Sequence, residues 1–178
     1  VLITSRPRVH HSQLDMNAKL GGSYVQSTIS GMEARAKGYD EAVFLNLEGN
    51  VAEGPGENIF IWKNGLLKTN DSSESILEGI TRASVLEIAE DNGIKTAVGP
   101  ITKEEFFEAD EVFFSGTAVE ITPIIEVTDA SEPGGSPKKY TIGSGRVGEA
   151  TARLRQMFGD VVTGKIPRYK KWLTYVKL

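Results

Sequence analysis

Two acids, Glu53 and Glu57, flank a Gly-Pro-Gly core in the stretch AEGPGENIF, which then runs into an apolar segment. Acids on a glycine turn are ordinarily solvated, so a surface hairpin is the plain reading; the alternative is that one of them faces a cationic ring. A lysine, Lys19, stands just before the double glycine of NAKLGGSYVQS, and Tyr24 follows it at the mouth of a helical pattern. Most lysines are solvated loop residues. Glycines, however, let backbone approach a ligand closely, and a lysine partly desolvated there would have its pKa pulled toward neutrality and could form a Schiff base. Thr81 follows Gly79 and Ile80 and reads as the N-cap of a helix. The same helix end, with free N–H groups and a positive dipole, would equally serve as a phosphate cup. SGTA, residues 115 to 118, joins two apolar strands through a tight turn. It is either an ordinary turn or one whose amides hold an oxyanion or a carboxylate.

Other chemistries drop out. The chain has no cysteine, which removes disulfides, thiolate zinc sites and a cysteine nucleophile. Its only histidines, His10 and His11, are adjacent, cannot share one helix face and have no carboxylate at ligand spacing, so no metal site is expected. The same scarcity speaks against a Ser-His-Asp hydrolase. EGPGEN lacks the Lys-Ser/Thr pair of a nucleotide P-loop, and Gly21-Gly22-Ser23 lacks the preceding strand of a dinucleotide fingerprint. The 178 residues are 39% apolar and 25% charged, and no apolar run approaches the roughly 20 residues that span a bilayer. A net charge of -4 without a basic stripe speaks against a nucleic-acid partner. No membrane partner is expected, and a reducing cytoplasm is compatible with the composition.

Elements must position these residues. Val25, Ile29, Met32 and Ala36 recur at helical spacing and predict an amphipathic helix over 23–37, closed by Gly38. EAVFLN (41–46) and NIFIWK (58–63) read as strands, with Glu48-Gly49 and Asn64-Gly65 as hairpin turns. A second helix is expected over 81–91, burying Val85, Ile88 and Ala89, with Asn92-Gly93 as its stop. Thr102 to Glu105 is a capping box for a short third helix. EVFFSG (111–116) and EITPIIEV (120–127) read as strands, and DASEPGGSPKK as a surface loop. Val147, Thr151, Leu154 and Phe158 mark a fourth helix, and IPRYKKWLTYV a further C-terminal one. The expected class is mixed α/β with substantial antiparallel pairing, without the regular alternation of a doubly wound sheet. The opening VLITSRPRVHHSQLD has no initiator methionine, signal-peptide core or transit-type helix. It is expected to be a linker or an extended lead-in strand within a longer protein.

Taken in order, AKLGGSY, EARAKGYDEAVFLNLEGNVAEGPGENIF, ILEGITR and ADEVFFSGTAVEITP resemble the class IV (fold type IV) pyridoxal-phosphate aminotransferases. The resemblance spans nearly the whole chain and is nearest the branched-chain amino acid aminotransferases, because the lysine is followed by GGSY and the later turn reads SGTAVEITP. It implies the large domain of a D-amino acid aminotransferase-like fold, a largely antiparallel sheet or pseudo-barrel flanked by helices. Lys19 resembles the lysine that forms the internal aldimine with pyridoxal 5'-phosphate and then shuttles a proton. Tyr24 resembles the tyrosine on the cofactor's phenolic oxygen, and Glu53 the glutamate beside the pyridine nitrogen. Glu57 is then left as a structural acid that ties the turn. Ile80 and Thr81 match the helix start that takes the phosphate, with Leu77 against the ring and Thr117 contributing. The amides of Thr117 and Ala118 match the turn that receives the substrate carboxylate. The implied reaction moves an amino group from L-Leu, L-Ile or L-Val to 2-oxoglutarate. A homodimer or higher homo-oligomer is implied as well, and a cytoplasmic location is expected.

The chain departs from the family's pattern in three places. Many relatives read LPGITR where Glu78 stands here, which brings an acid near the phosphate cup; it is expected to point outward. Glu149 stands before the fourth helix where relatives carry proline. No counterpart of the family's small N-terminal domain is found, so residues 1–15 are expected to be a connection between domains and residues 16–178 the cofactor domain. A D-amino acid transaminase, an aminodeoxychorismate lyase, or a truncated cofactor-fold module without full activity are the alternatives to a branched-chain enzyme.

Overall fold

The strand β3 (Asn58–Lys63) is apolar on both faces, and that property dictates the layers around it. Ile59 and Ile61 point one way, Phe60 and Trp62 the other. Its antiparallel neighbour β6 (Glu111–Gly116) repeats the pattern, with Val112 and Phe114 on the first face and Phe113 on the second. β4 (Leu66–Thr69), β5 (Lys95–Val98) and β7 (Glu120–Ile124) complete a five-stranded sheet of order β5-β4-β3-β6-β7. The computed structural model describes residues 1–176.

Each face of this sheet is covered. Helices α2 (Ile80–Asp91) and α4 (Glu149–Val162) bury Val85, Ile88, Leu154 and Phe158 against Phe60 and Phe113, whose rings stack at 5.1 Å. On the opposite face lies a second sheet of β1 (Leu2–Ile3), β2 (Ala42–Val43), β8 (Glu126–Asp129) and β9 (Lys138–Thr141), in the order β2-β1-β8-β9. Its Ile3, Val43 and Val127 join Ile59, Ile61, Val112 and Phe114 in one core. Full burial of each such side chain contributes about 1.5–3 kcal/mol, so these two layers supply most of the driving force. Helix α1 (Tyr24–Ala36) covers the outer face of the second sheet, with Ala34 against Leu2 and Ala42. The short α3 (Lys103–Phe107) has the expected capping box, with Thr102 and Glu105 bonded reciprocally, and drops Phe106 into the core between the sheets.

The mixed α/β class holds, and the pseudo-barrel takes the form of two sheets face to face. Antiparallel pairs join β3 to β4 and β6, β6 to β7 and β8 to β9; β1 runs parallel to β2 and β8, and β4 to β5. β1 comes from the segment expected to be a linker or lead-in strand and sits inside its sheet, with Ile3 fully buried.

Several expectations need correction. The stripe Val25, Ile29 and Met32 of α1 is exposed, and the helix buries Ser27, Ser30, Gly31 and Ala34 instead. Small residues win this face because the partner lies close: a Cβ on Gly31 would meet the Glu41 carboxylate at 3.0 Å. EAVFLN forms a ladder only at Ala42–Val43, the rest folding into a turn bridged at Leu45 and Val51. EITPIIEV is two strands, β7 and β8, divided at Ile125 and assigned to different sheets. The surface loop after β8 is shorter than expected, since Lys138 and Lys139 already belong to β9. Val147 lies outside α4 and is exposed; the helix begins at Glu149, where the Glu111 carboxylate accepts from the N–H groups of Ala150 and Thr151 at 3.0 and 2.7 Å. The C-terminal helix is a 3₁₀ segment, Pro167–Trp172.

Candidate active site

β3 begins and β6 ends at the same edge of the five-stranded sheet, because they run antiparallel with Asn58 opposite Ser115. The start of α2, the 52–57 turn and the loop leading into α1 converge on that edge around a cavity of about 360 Å³. Lys19, Tyr24, Glu53, Leu77, Ile80, Thr81 and Thr117 all line it. Ala118 does not; it is exposed in the turn between β6 and β7.

Glu53 is the most constrained of these side chains, with 4% of its surface exposed. Its carboxylate accepts from Arg8 Nε at 2.9 Å, from the Leu77 N–H at 3.1 Å and from Asn58 Nδ2 at 3.4 Å, and Arg8 Nη2 stands 2.7 Å away. Arg8 is itself buried, donates to Ser27 Oγ at 3.0 Å and lies over the Phe44 ring. Burial nonetheless outweighs the arginine and pushes the Glu53 carboxyl up to about 7. A folded-state pKa above the ordinary 4.5 means that the folded chain holds the proton more tightly than the unfolded one. The resulting stability is present below about pH 4.5 and is lost as pH rises through about 7. Glu53→Gln is therefore expected to gain on the wild type by on the order of 2 kcal/mol across that window, read from urea midpoints of the ligand-free proteins. A constant difference between the two would contradict it.

The 54–57 turn holds Glu53 in place. Glu57 Oε2 accepts from the Gly56 N–H at 2.9 Å, and the Glu57 carbonyl accepts from the Gly54 N–H at 2.8 Å. A Cβ on Gly54 would sit 2.6 Å from the Glu57 carboxylate and 2.9 Å from Phe114, so glycine is needed there for close approach.

Asn58 ties the acid to the helix start. Its Nδ2 donates to the Leu77 carbonyl at 2.7 Å as well as to Glu53, and its Oδ1 accepts from the Gly79 N–H at 3.1 Å. Gly79, not Thr81, is the N-cap of α2, and a Cβ there would overlap Asn58 Oδ1. Ile80 and Thr81 thus occupy the first helical turn, whose N–H groups have no carbonyl one turn back. No side chain caps them. Arg82 anchors this turn from below, donating through Nε and Nη2 to the Asn70 carbonyl at 3.0 and 2.7 Å. Glu78 is exposed as expected; its carboxylate accepts from the Ser72 N–H at 3.0 Å and lies 3.5 Å from Arg82.

Lys19 departs from the expected desolvated lysine. It is exposed on the cavity rim, its Nζ 5.3 Å from the centre of the Tyr24 ring. The neighbouring Gly21 and Gly22 face open space, which leaves this side of the cavity uncovered. The site therefore groups a reachable amine, a buried acid backed by an arginine, and a helix N-terminus with unclaimed donors.

The sequence model of the family described as amino-transferase class IV matches residues 1–127. The chain belongs to the class IV aminotransferases. A probable branched-chain-amino-acid aminotransferase of Aquifex aeolicus is 42% identical over 175 residues, covering 98% of this chain and 53% of that protein. Among solved structures, the branched-chain amino acid aminotransferase of Thermobaculum terrenum in its PLP form superposes with a TM-score of 0.87 at 36% identity, covering 97% of this chain and 53% of the other. The branched-chain aminotransferase of the archaeon Thermoproteus uzoniensis with norvaline gives 0.84 at 45% identity, covering 97% and 54%. The class IV chain described here thus spans about half the length of the curated relatives it matches.

Arg8, Asn58 and Ser115 border the cavity of this class IV domain and were not singled out from the sequence. Arg8 lay in a segment without periodicity, and the other two read as ordinary strand residues. A polar residue at the end of an apolar strand, as in GENIF and FFSG, is the signal that marks Asn58 and Ser115.

Proposed function

We propose that the protein carrying this chain is a branched-chain amino acid aminotransferase, moving the amino group of L-Leu, L-Ile or L-Val to 2-oxoglutarate with pyridoxal 5'-phosphate. The carrying observation is that Lys19, Glu53 and the open N-terminus of α2 line one cavity in a class IV domain. The relatives named above as branched-chain aminotransferases, one of them in its PLP form, support the substrate and the cofactor.

The donor set fits that cofactor. A phosphate needs N–H and O–H donors, which Ile80, Thr81 and Thr117 offer, and a protonated ring nitrogen needs a buried anion, which Glu53 offers. When bound, pyridoxal phosphate supplies an electron-poor ring that takes up the electron pair left at the substrate Cα. Glu53 holds the ring nitrogen protonated, and a cation there restores the carboxylate that burial disfavours beside Arg8 alone. Tyr24 would donate to the ring oxygen and Leu77 would lie against the ring, both lining the cavity. Lys19 would hold the cofactor and would carry the proton taken from the substrate Cα. The amides of Thr117 and Ala118 bind the substrate carboxylate from the rim. Among the described residues no helix is long and apolar enough to cross a membrane. A cytoplasmic location accords with the absence of cysteine, and a homo-oligomer with the exposed stripe of Val25, Ile29 and Met32.

Adding L-leucine to the cofactor-loaded protein is expected to abolish the visible absorption band, and 2-oxoglutarate to restore it with glutamate formed. A protein that responds to D-alanine and not to L-leucine would belong to another branch of the class. Failure to take up pyridoxal phosphate would sink the reading altogether.

A further inference from the structure

Four buried side-chain polar atoms among the described residues have no hydrogen-bond partner: Ser30 Oγ, Asn70 Oδ1, Ser115 Oγ and Thr151 Oγ1. Only Ser115 belongs to a residue that lines the cavity. Its residue is 1% exposed, so the hydroxyl is not reached by bulk solvent. A hydroxyl buried without a partner costs about 1–3 kcal/mol, which a fold tolerates where a ligand completes the bond.

Direction follows from register. Ser115 stands directly opposite Asn58 across an antiparallel pair, and opposed residues share a face of the sheet. That is the face with Phe60 and Phe113, on which α2 lies. Asn58 reaches along it to the Gly79 N–H at the start of α2; both Nδ2 protons go to Leu77 and Glu53, Oδ1 accepts from Gly79, and Asn58 makes no bond to Ser115. Ser115 therefore lies on the face that carries this helix end and lines the same cavity as Ile80 and Thr81, with its hydroxyl unpartnered.

We infer that Ser115 is a further ligand-binding residue of this site, its hydroxyl donating to an oxygen of the phosphate group that the start of α2 receives. The inference deepens the proposed function and rests on the cavity being a phosphate-cofactor site. No bond breaks in the step; a hydrogen bond forms that the ligand-free chain lacks. A neutral donor reserved for an anion adds affinity without adding charge, which suits a site already bordered by Glu53, Glu57 and Glu78.

Ser115→Ala tests it with three probes. The variant is expected to bind pyridoxal 5'-phosphate about 10-fold or more weaker than the wild type, as loss of a hydrogen bond to a charged group predicts. Pyridoxal without its phosphate should bind both proteins alike, and inorganic phosphate should protect the wild type against urea more than the variant. The urea midpoint of the ligand-free variant should equal or exceed that of the wild type, because an unpartnered hydroxyl has been removed. Equal affinity of the two proteins for pyridoxal phosphate overturns the inference while leaving the proposed function intact. So does an equal loss for pyridoxal, or a ligand-free variant less stable than the wild type. A wild type that binds neither pyridoxal phosphate nor inorganic phosphate overturns the reading of the cavity, and Ser115 with it.

Discussion

Lys19→Ala is expected to lower amino transfer by the protein that carries this chain by about 10³-fold or more, with pyridoxal phosphate still bound. The two effects separate because they rest on different residues. On the proposed function, retention would rest on the N–H groups at the start of α2, on Thr117 and on Glu53, which line the cavity beside Lys19. Turnover depends on an amine that reaches both the cofactor and the substrate Cα, and Lys19 is the lysine that lines the cavity. Its exposure leaves the amine reachable. Lys19 stands at the rim, next to Gly21 and Gly22, where nothing in the described chain covers it. Turnover within 10-fold of the wild type would show that another group moves the proton.

The second large effect concerns the buried pair of Arg8 and Glu53. Glu53→Leu is expected to destabilise the ligand-free protein by about 3 kcal/mol or more, because it strands the Arg8 guanidinium where water cannot reach it; Arg8→Met is expected to cost less, because the buried carboxyl left behind takes up a proton. Arg8 would keep only Ser27 Oγ as a polar side-chain partner, and Glu53 would keep the Leu77 N–H and the long bond from Asn58. The double variant should lose much less than the sum, since neither charge remains to be paired. Urea midpoints of the four proteins give the coupling energy. Additive losses would mean that the pair, though 2.7 Å apart, does not act as a unit.

Much of the cavity lining was legible because local chain signals mark it. Lys19 is flagged by a double glycine, Glu53 by its glycine-proline turn, and Ile80 and Thr81 by a glycine before a helical pattern. All of them line the cavity. Ala118 follows the same turn signal and stands outside the lining, exposed at the rim. Arg8 was illegible because its importance is long-range. Its partner, Glu53, is 45 residues away, and the segment between them carries no periodicity that would join the two. Helix α1 was misread for a different reason. Hydrophobic periodicity assigns the largest apolar residues to the core, whereas a helix packed close to its neighbour buries its smallest, here Gly31 and Ala34. β5 escaped notice because four residues beginning Lys-Thr give too little alternation to read, and the two residues of β1 left the lead-in open between linker and strand. Ile125 divides β7 from β8, and the one local signal, Pro123, lies two residues earlier within β7, so a single apolar run is shared between two sheets by the fold itself.

The most direct test is to load the protein with pyridoxal 5'-phosphate, reduce it with borohydride, digest it and map the pyridoxyl group by mass spectrometry. The expected label lies on Lys19, in the peptide containing AKLGGSY. A label on any other lysine, or none, would contradict the assignment of this cavity as the active site.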